Sequence, residues 1–271
     1  MPDSSTAAII PVRTAVVRPR QRVARWFYIG AALFVMLVSL VGFAPSIVDQ
    51  SRRNAPLTSI VIGHGAAAAS WLVLFLAQSL LVATGRTSVH RRVGRIGPVL
   101  AAVMVGLGVL MLVEDAHRGY DLSGDLARGL TPLGSPQLSV EESAPGLVFP
   151  LSGFVSFGIL VAAGWLCRRR PETHKRLMLF ALFPLVGEPV IHLIGHLAAH
   201  WPALQGTAGI IAPVASLVLL SVSAIHDKMS QGRIHPVSLW VPVLLLVWVN
   251  AVPAIVFPST LWHNFAVWFT Q

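Results

Sequence analysis

Residues 177–199 read Leu-Met-Leu-Phe-Ala-Leu-Phe-Pro-Leu-Val-Gly-Glu-Pro-Val-Ile-His-Leu-Ile-Gly-His-Leu-Ala-Ala. The run carries one formal charge, Glu188. It is longer than the ~20 apolar residues that cross a hydrocarbon core as an α-helix. Six further stretches have the same character, at 26–45, 58–84, 97–113, 146–167, 208–225 and 239–258, and charged or turn-rich segments separate them. The third is short, and Glu114 to His117 are expected to extend its outer end. The whole chain agrees: of 271 residues, 55% are hydrophobic and 11% charged, where a soluble domain carries about 25% charged residues. The mean hydropathy is +0.71. Too few charges exist to clothe a water-facing surface, so a soluble globular enzyme is excluded. Disorder and fibrous repeats are excluded as well, because Gly and Pro show no fixed period. The reading is an all-α bundle of seven transmembrane helices, with a basic tail over residues 1–25 and the membrane domain over 26–271.

The net charge of +9 reports the orientation. Cytoplasmic loops collect Lys and Arg. Here the tail holds Arg13, Arg18, Arg20, Arg22 and Arg25, and the loop after the second stretch holds Arg86, Arg91, Arg92 and Arg95. The loop after the fourth holds Arg168, Arg169, Arg170, Lys175 and Arg176, and the one after the sixth holds Lys228 and Arg233. Only Arg52, Arg53, Arg118 and Arg128 fall on the other side. The alternation puts the N-terminus in the cytoplasm and the C-terminus outside, in a bacterial inner membrane. Trp26 to Ala44 lacks a small-x-small cleavage site and reads as a retained anchor. The basic patches sit at helix ends, where anionic lipid headgroups attract them, so the expected partners are the bilayer and those headgroups rather than nucleic acid. The acidic outer loop, 114–145, holds no soluble domain, but a short interfacial helix is expected near Asp125 to Leu130. The single cysteine, Cys167, permits neither an internal disulfide nor a redox pair.

Ionisable groups inside a span are expensive and usually mark a site. Glu188, His192 and His196 recur every four residues and share one helix face. With Glu188 near the middle, His192 and His196 lie about 6 and 12 Å toward the outside, with His200 at the outer interface. His64, on the second span, lies at a matching depth. His64, Trp71 and Gln78 are spaced by seven and form a stripe that would carry His64 toward His192 or His196. Glu114, Asp115, His117 and His263 fall at the same outer end, and Asn250 is a further polar candidate in the seventh span. Pro184 and Pro189 predict a kink near Glu188.

Three chemistries fit this cluster. Histidines from two helices can ligate a b-type haem, here His64 with His192 or His196 and Glu188 controlling protonation, for electron transfer between quinol or another membrane redox protein and an outer acceptor. His64, His192 and His196 can hold zinc or another transition metal as in a membrane hydrolase. Glu188 with the histidines can also serve a proton-coupled transporter. Against all three stands a plain scaffold, in which the histidines only hydrogen-bond between helices.

Two cytoplasmic turns share the pattern Arg-x3-His-(Arg/Lys)-Arg, at Arg86 to Arg92 and at Arg170 to Arg176. His64, the segment His90-Arg91-Arg92-Val93-Gly94-Arg95 and the segment His174-Lys175-Arg176-Leu177-Met178 resemble a group of uncharacterised bacterial polytopic membrane proteins. Ile225-His226-Asp227 and Gly232-Arg233-Ile234-His235-Pro236 resemble its later cytoplasmic turn. The resemblance spans about residues 60 to 240 and implies no activity. Histidines at two depths of two helices are distantly similar to transmembrane di-haem cytochromes b, but His64 and His90 lie about 39 Å apart along a helix, which places His90 at the surface. There His90 and His174 are candidates for haem propionates or lipid phosphate. The seven-span plan is also similar to the adiponectin-receptor and haemolysin-III type hydrolases, whose three-histidine zinc site lies toward the cytoplasm.

Overall fold

The computed structural model describes residues 19–48, 58–117, 140–198, 200–204 and 208–270. Among these residues all regular structure is helical. The helices are α1 (Pro19–Val48), α2 (Ser59–Ala83), α3 (Thr87–Val93), α4 (Ile96–His117), α5 (Val140–Ser143), α6 (Val148–Leu166), α7 (Pro171–Phe180), α8 (Gly187–Ala198), α9 (Ala208–Gln231), α10 (Pro236–Val256) and α11 (Thr260–Thr270). Six segments of the described residues are long and apolar enough to cross a membrane: Trp26–Pro45, Ser59–Ala83, Thr87–Glu114, Ala144–Leu166, Pro171–Ala198 and Pro236–Val256. The chain is therefore a multi-pass helical membrane protein. The sixth expected stretch falls inside α9, which is not one of these six. The tail up to residue 18 and the helix expected near Asp125 to Leu130 lie outside the described residues.

Local chemistry sets the helix ends. The Thr58 hydroxyl accepts from Val61 N at 3.3 Å and caps α2. Its other end closes at Gly85, whose φ of +79° lets Arg86 N return to Leu81 O at 2.7 Å, a backbone reversal that residues with a Cβ adopt poorly. The third span runs through Glu114 to His117, as expected. Past the seventh, α11 was not anticipated. It folds back on the bundle, where the Trp262 indole donates to Pro145 O at 2.7 Å and the ring joins Leu112, Ala116 and Leu147.

The fifth span departs from a simple kink. It is cut in two, α7 and α8, with a 3₁₀ turn at Phe183–Leu185 between them. Leu182 N, Leu185 N and Val186 N each bond three residues back, at 3.0, 3.1 and 3.1 Å, which tightens the chain past Pro184. Pro189 then falls in the first turn of α8, where an N–H has no helical acceptor in any case. The break is enclosed: Ala181, Leu182 and Val186 are buried, with α6 and α9 packed on the turn.

Packing runs α2 on α4, α1 on both α2 and α8, and α4 on α6. Exposed Leu33, Phe34, Leu37 and Leu40 on α1 make a surface suited to lipid. Close approach depends on glycines: a Cβ on Gly42 would collide with the backbone of Pro189, and one on Gly108 with the Phe154 ring, whereas Gly30 faces open space. Gly42→Ala is expected to lower the thermal unfolding midpoint in detergent, at a cost of ~1–3 kcal/mol for overpacking. Gly30→Ala should leave it unchanged or raise it, since alanine favours a helix interior by ~1 kcal/mol.

Candidate functional site

Polar side chains gather in three places. On α2, His64 Nδ1 meets Met104 O at 3.2 Å and its ring stands edge-on to Phe154, centres 5.4 Å apart. It thus faces α4 and α6. The stripe on α2 does point inward as expected, with Trp71 against Phe157 at 5.0 Å. His192 and His196 lie together on α8, ring centres 6.4 Å apart, with Phe43 of α1 against His192 at 5.0 Å. α1 packs on both α2, which carries His64, and α8, which carries this pair. Among the described residues no three His, Cys, Asp or Glu side chains come together as a metal-holding group. Of the other outer candidates, His263 lines a small recess of about 240 Å³ with Glu141. Asn250, expected in the interior, is exposed and returns its amide to Leu246 O at 2.7 Å.

At mid-depth, Glu188 opens α8 directly after the break. Its carboxylate is 3.4 Å from His192 Nε2. Its side chain is 67% accessible. Glu188 is the one exposed residue of α8, whose other residues are buried or half-buried. Irregular backbone at membrane depth is tolerated where it is buried in protein or lines a cavity, and here the break and the accessible acid coincide.

The third cluster, at the end that carries the basic turns, was only half visible beforehand. His90 and His174, named from two separate turns, are brought ring to ring, centres 6.3 Å apart and planes at 76°. His174 Nδ1 is 2.8 Å from Gly164 O. Gln78, the last residue of the α2 stripe, bonds to His90 and Gly94 when its amide is turned so that each atom has a partner. The sulfur of Met178 fills the place where a Cβ on Gly164 would stand.

Beside them is an ion pair that sequence reading missed. Arg176, counted there as a loop charge, is fully buried. It clamps buried Asp227 with two nitrogens, Nε at 2.9 Å from Oδ2 and Nη2 on Oδ1. It also reaches Ser238 at 3.1 Å and the exposed Glu172 carboxylate at 2.7 Å. His235 N donates to Asp227 at 3.2 Å, and His235 Nδ1 caps α10 by accepting from Val237 N at 3.2 Å. His226 stacks on Phe27 at 4.0 Å. Burial works against the charge of Asp227, two residues past the expected end of the sixth span, but the hydrogen bonds led by Arg176 outweigh it and hold the carboxyl below its ordinary value. Burial and the Arg176 charge hold the His235 ring below its own. No signal in the sequence links residues 176 and 227, since charges on a basic turn and a helix end have no shared period.

No protein-family model matches the chain, and no curated protein or solved structure matches it either.

Removing one partner of a buried ion pair leaves an uncompensated charge, at ~3–5 kcal/mol. Arg176→Met and Asp227→Leu alone are therefore each expected to destabilise strongly, and the double variant to regain most of the loss in a double-mutant unfolding cycle. Since the Asp227 carboxyl is depressed, its contribution is present in full at neutral pH. It is expected to fade on acidification below the ordinary aspartate value of ~3.9, as a fall in unfolding midpoint that Asp227→Leu lacks.

Proposed function

We propose that this chain is a seven-span protein of the bacterial inner membrane, N-terminus cytoplasmic and C-terminus outside, that moves protons by way of Glu188, as a proton-coupled carrier does. The span added to the six apolar segments is α9, sixth in chain order and 24 residues long. The observation that carries the reading is the coincidence of three features at one point of the fifth span: a broken helix, a carboxylate in the first turn of its second half, and an accessible side chain at that carboxylate with His192 beside it. Discontinuous helices of this kind build the ion and substrate sites of secondary transporters, and intramembrane acids paired with histidine serve as proton relays. His192, one helical turn above Glu188, is placed to share its proton.

The haem and zinc readings of the same residues need His64 beside His192 or His196, and the partners of His64 on α4 and α6 favour the carrier instead. In proteoliposomes loaded with a pH-sensitive dye, an imposed potential is expected to drive proton entry that empty vesicles lack. Glu188→Gln should reduce it at least about ten-fold, the size of effect a ~1.4 kcal/mol change in barrier brings. Wild-type protein that conducts no protons, or that carries stoichiometric haem or zinc lost on His64→Leu, overturns the proposal.

A further inference from the structure

Helix α11 carries no Lys, Arg, Asp or Glu. Its 11 residues reach about 16 Å, roughly half the thickness of a hydrocarbon core, so it cannot cross a membrane. Its level along the bundle is set by what it touches. The third span closes at Glu114 and the fourth opens at Ala144, and α11 packs on α4, on α5 and on the turn Ala144–Leu147. The Trp262 indole bonds to Pro145 O at 2.7 Å, and its ring rests on Leu112, Ala116 and Leu147. All of these partners stand close to Glu114 or Ala144, at the end of α4 away from the basic turn. The helix therefore docks where two spans meet the boundary of the membrane.

Its side chains divide by helical period. Ala266 and Thr270, one turn apart, are buried. Leu261, Phe265 and Trp268 recur at i, i+4 and i+7, which puts them on one side of the helix, and they are 83%, 46% and 69% exposed. The rings of Phe265 and Trp268 adjoin, centres 5.8 Å apart. Beside this face the helix is polar. His263 and Asn264, with Val267, Trp268 and Glu141 of α5, border a recess of about 240 Å³. A Trp, Phe and Leu face next to a polar flank is the pattern of a helix that lies in the plane of a water–lipid boundary.

What covers the exposed face follows from its neighbour in the chain. Only Phe257, Pro258 and Ser259 separate α11 from α10, which is long and apolar enough to span. Large apolar side chains stay exposed through the junction, at Ile255, Phe257 and Leu261. The lipid-facing surface of α10 thus passes directly into that of α11, and the occupant of the one is the occupant of the other. We propose that α11 is an interfacial helix. Leu261, Phe265 and Trp268 lie in the headgroup and upper acyl region of the bilayer that the spans cross, and His263, Asn264 and Glu141 face water. The helix so fixes the depth at which α10 leaves the membrane. This role goes beyond the carrier reading and does not depend on proton movement.

Nitroxide labels on the full-length protein in nanodiscs provide the test. In a Cys167→Ser background, which removes the single cysteine, the variants Leu261→Cys, Asn264→Cys, Phe265→Cys, Trp268→Cys and Leu244→Cys are labelled one at a time. Relaxation of each label by oxygen is compared with relaxation by a water-soluble nickel chelate. Leu244, exposed near the middle of α10, is the reference for the hydrocarbon core. The labels replacing Leu261, Phe265 and Trp268 are expected to favour oxygen, about 5–10 Å below the headgroup level, and the one replacing Asn264 to favour the chelate. Preference for the chelate at all four α11 positions means a helix in water and overturns the proposal. Oxygen preference as strong as at Leu244 means a helix sunk in the core and does the same. Labels shielded from both agents mean a second copy or another protein on this face, which also overturns it. A second measurement keeps the native cysteine. The fluorescence difference between wild type and Trp268→Phe isolates one of the eight indoles, and it should be quenched most by lipids brominated high on the acyl chain. Strongest quenching by lipids brominated near the chain end, or no quenching by either, contradicts the assignment. Thermal unfolding in detergent shows that each variant is folded.

Discussion

Inside a hydrocarbon layer a backbone N–H or C=O finds no water, so every such group must be paired within the protein. The continuous helices of this chain satisfy that requirement by themselves, and the fifth span does not. Between Phe180 and Gly187 the helical bonding lapses into a 3₁₀ turn around Pro184. That lapse is affordable only in the interior, and the residues flanking it are buried while α6 and α9 close over it. The position of the break therefore dictates that this span lies inside the bundle. It also creates a second helix start deep within it, where the positive end of the α8 dipole favours an anion. Glu188 occupies that first turn.

The end that carries the basic turns is ordered by a different constraint, the pairing of polar groups on separate helices. Arg176 is fully buried, and its guanidinium ties α7 to α9 through Asp227 and to α10 through Ser238. Nearby, Gly164 presents its carbonyl to His174 and its bare Cα to Met178, which locks α6 to α7. Gly94 does the same for α2 and α3 by donating to Gln78 without the crowding a side chain would bring against His90 O. The spacing His90-x3-Gly94 and His174-x3-Met178 is one helical turn, so both members of each pair address a single partner. The short motifs in the two turns are thus docking geometry as well as chemistry.

The spans themselves were legible because apolar length is a local property. The face shared by Glu188, His192 and His196 was legible too, because it depends only on helical period. Pro184 and Pro189 announced trouble near Glu188 but not its form, since a proline removes a donor and neighbouring helices decide whether the helix bends or breaks. Asn250 misled, because an amide can return its hydrogen to its own helix and remain exposed. Arg176 misled for the opposite reason: it stands among basic loop residues, yet a carboxylate 51 positions away takes it out of that population.

The sequence by itself thus determined that the chain is a helical membrane protein and which residues lie at which depth along each helix, because hydropathy and rise per residue act within one segment. Which histidines meet was decided by tertiary structure alone. The turns bearing His90 and His174 dock together, while His64 turns to α4 and α6. Rotation and neighbour choice among packed helices set such contacts, and they depend on glycine clearances and a buried ion pair that no single segment encodes.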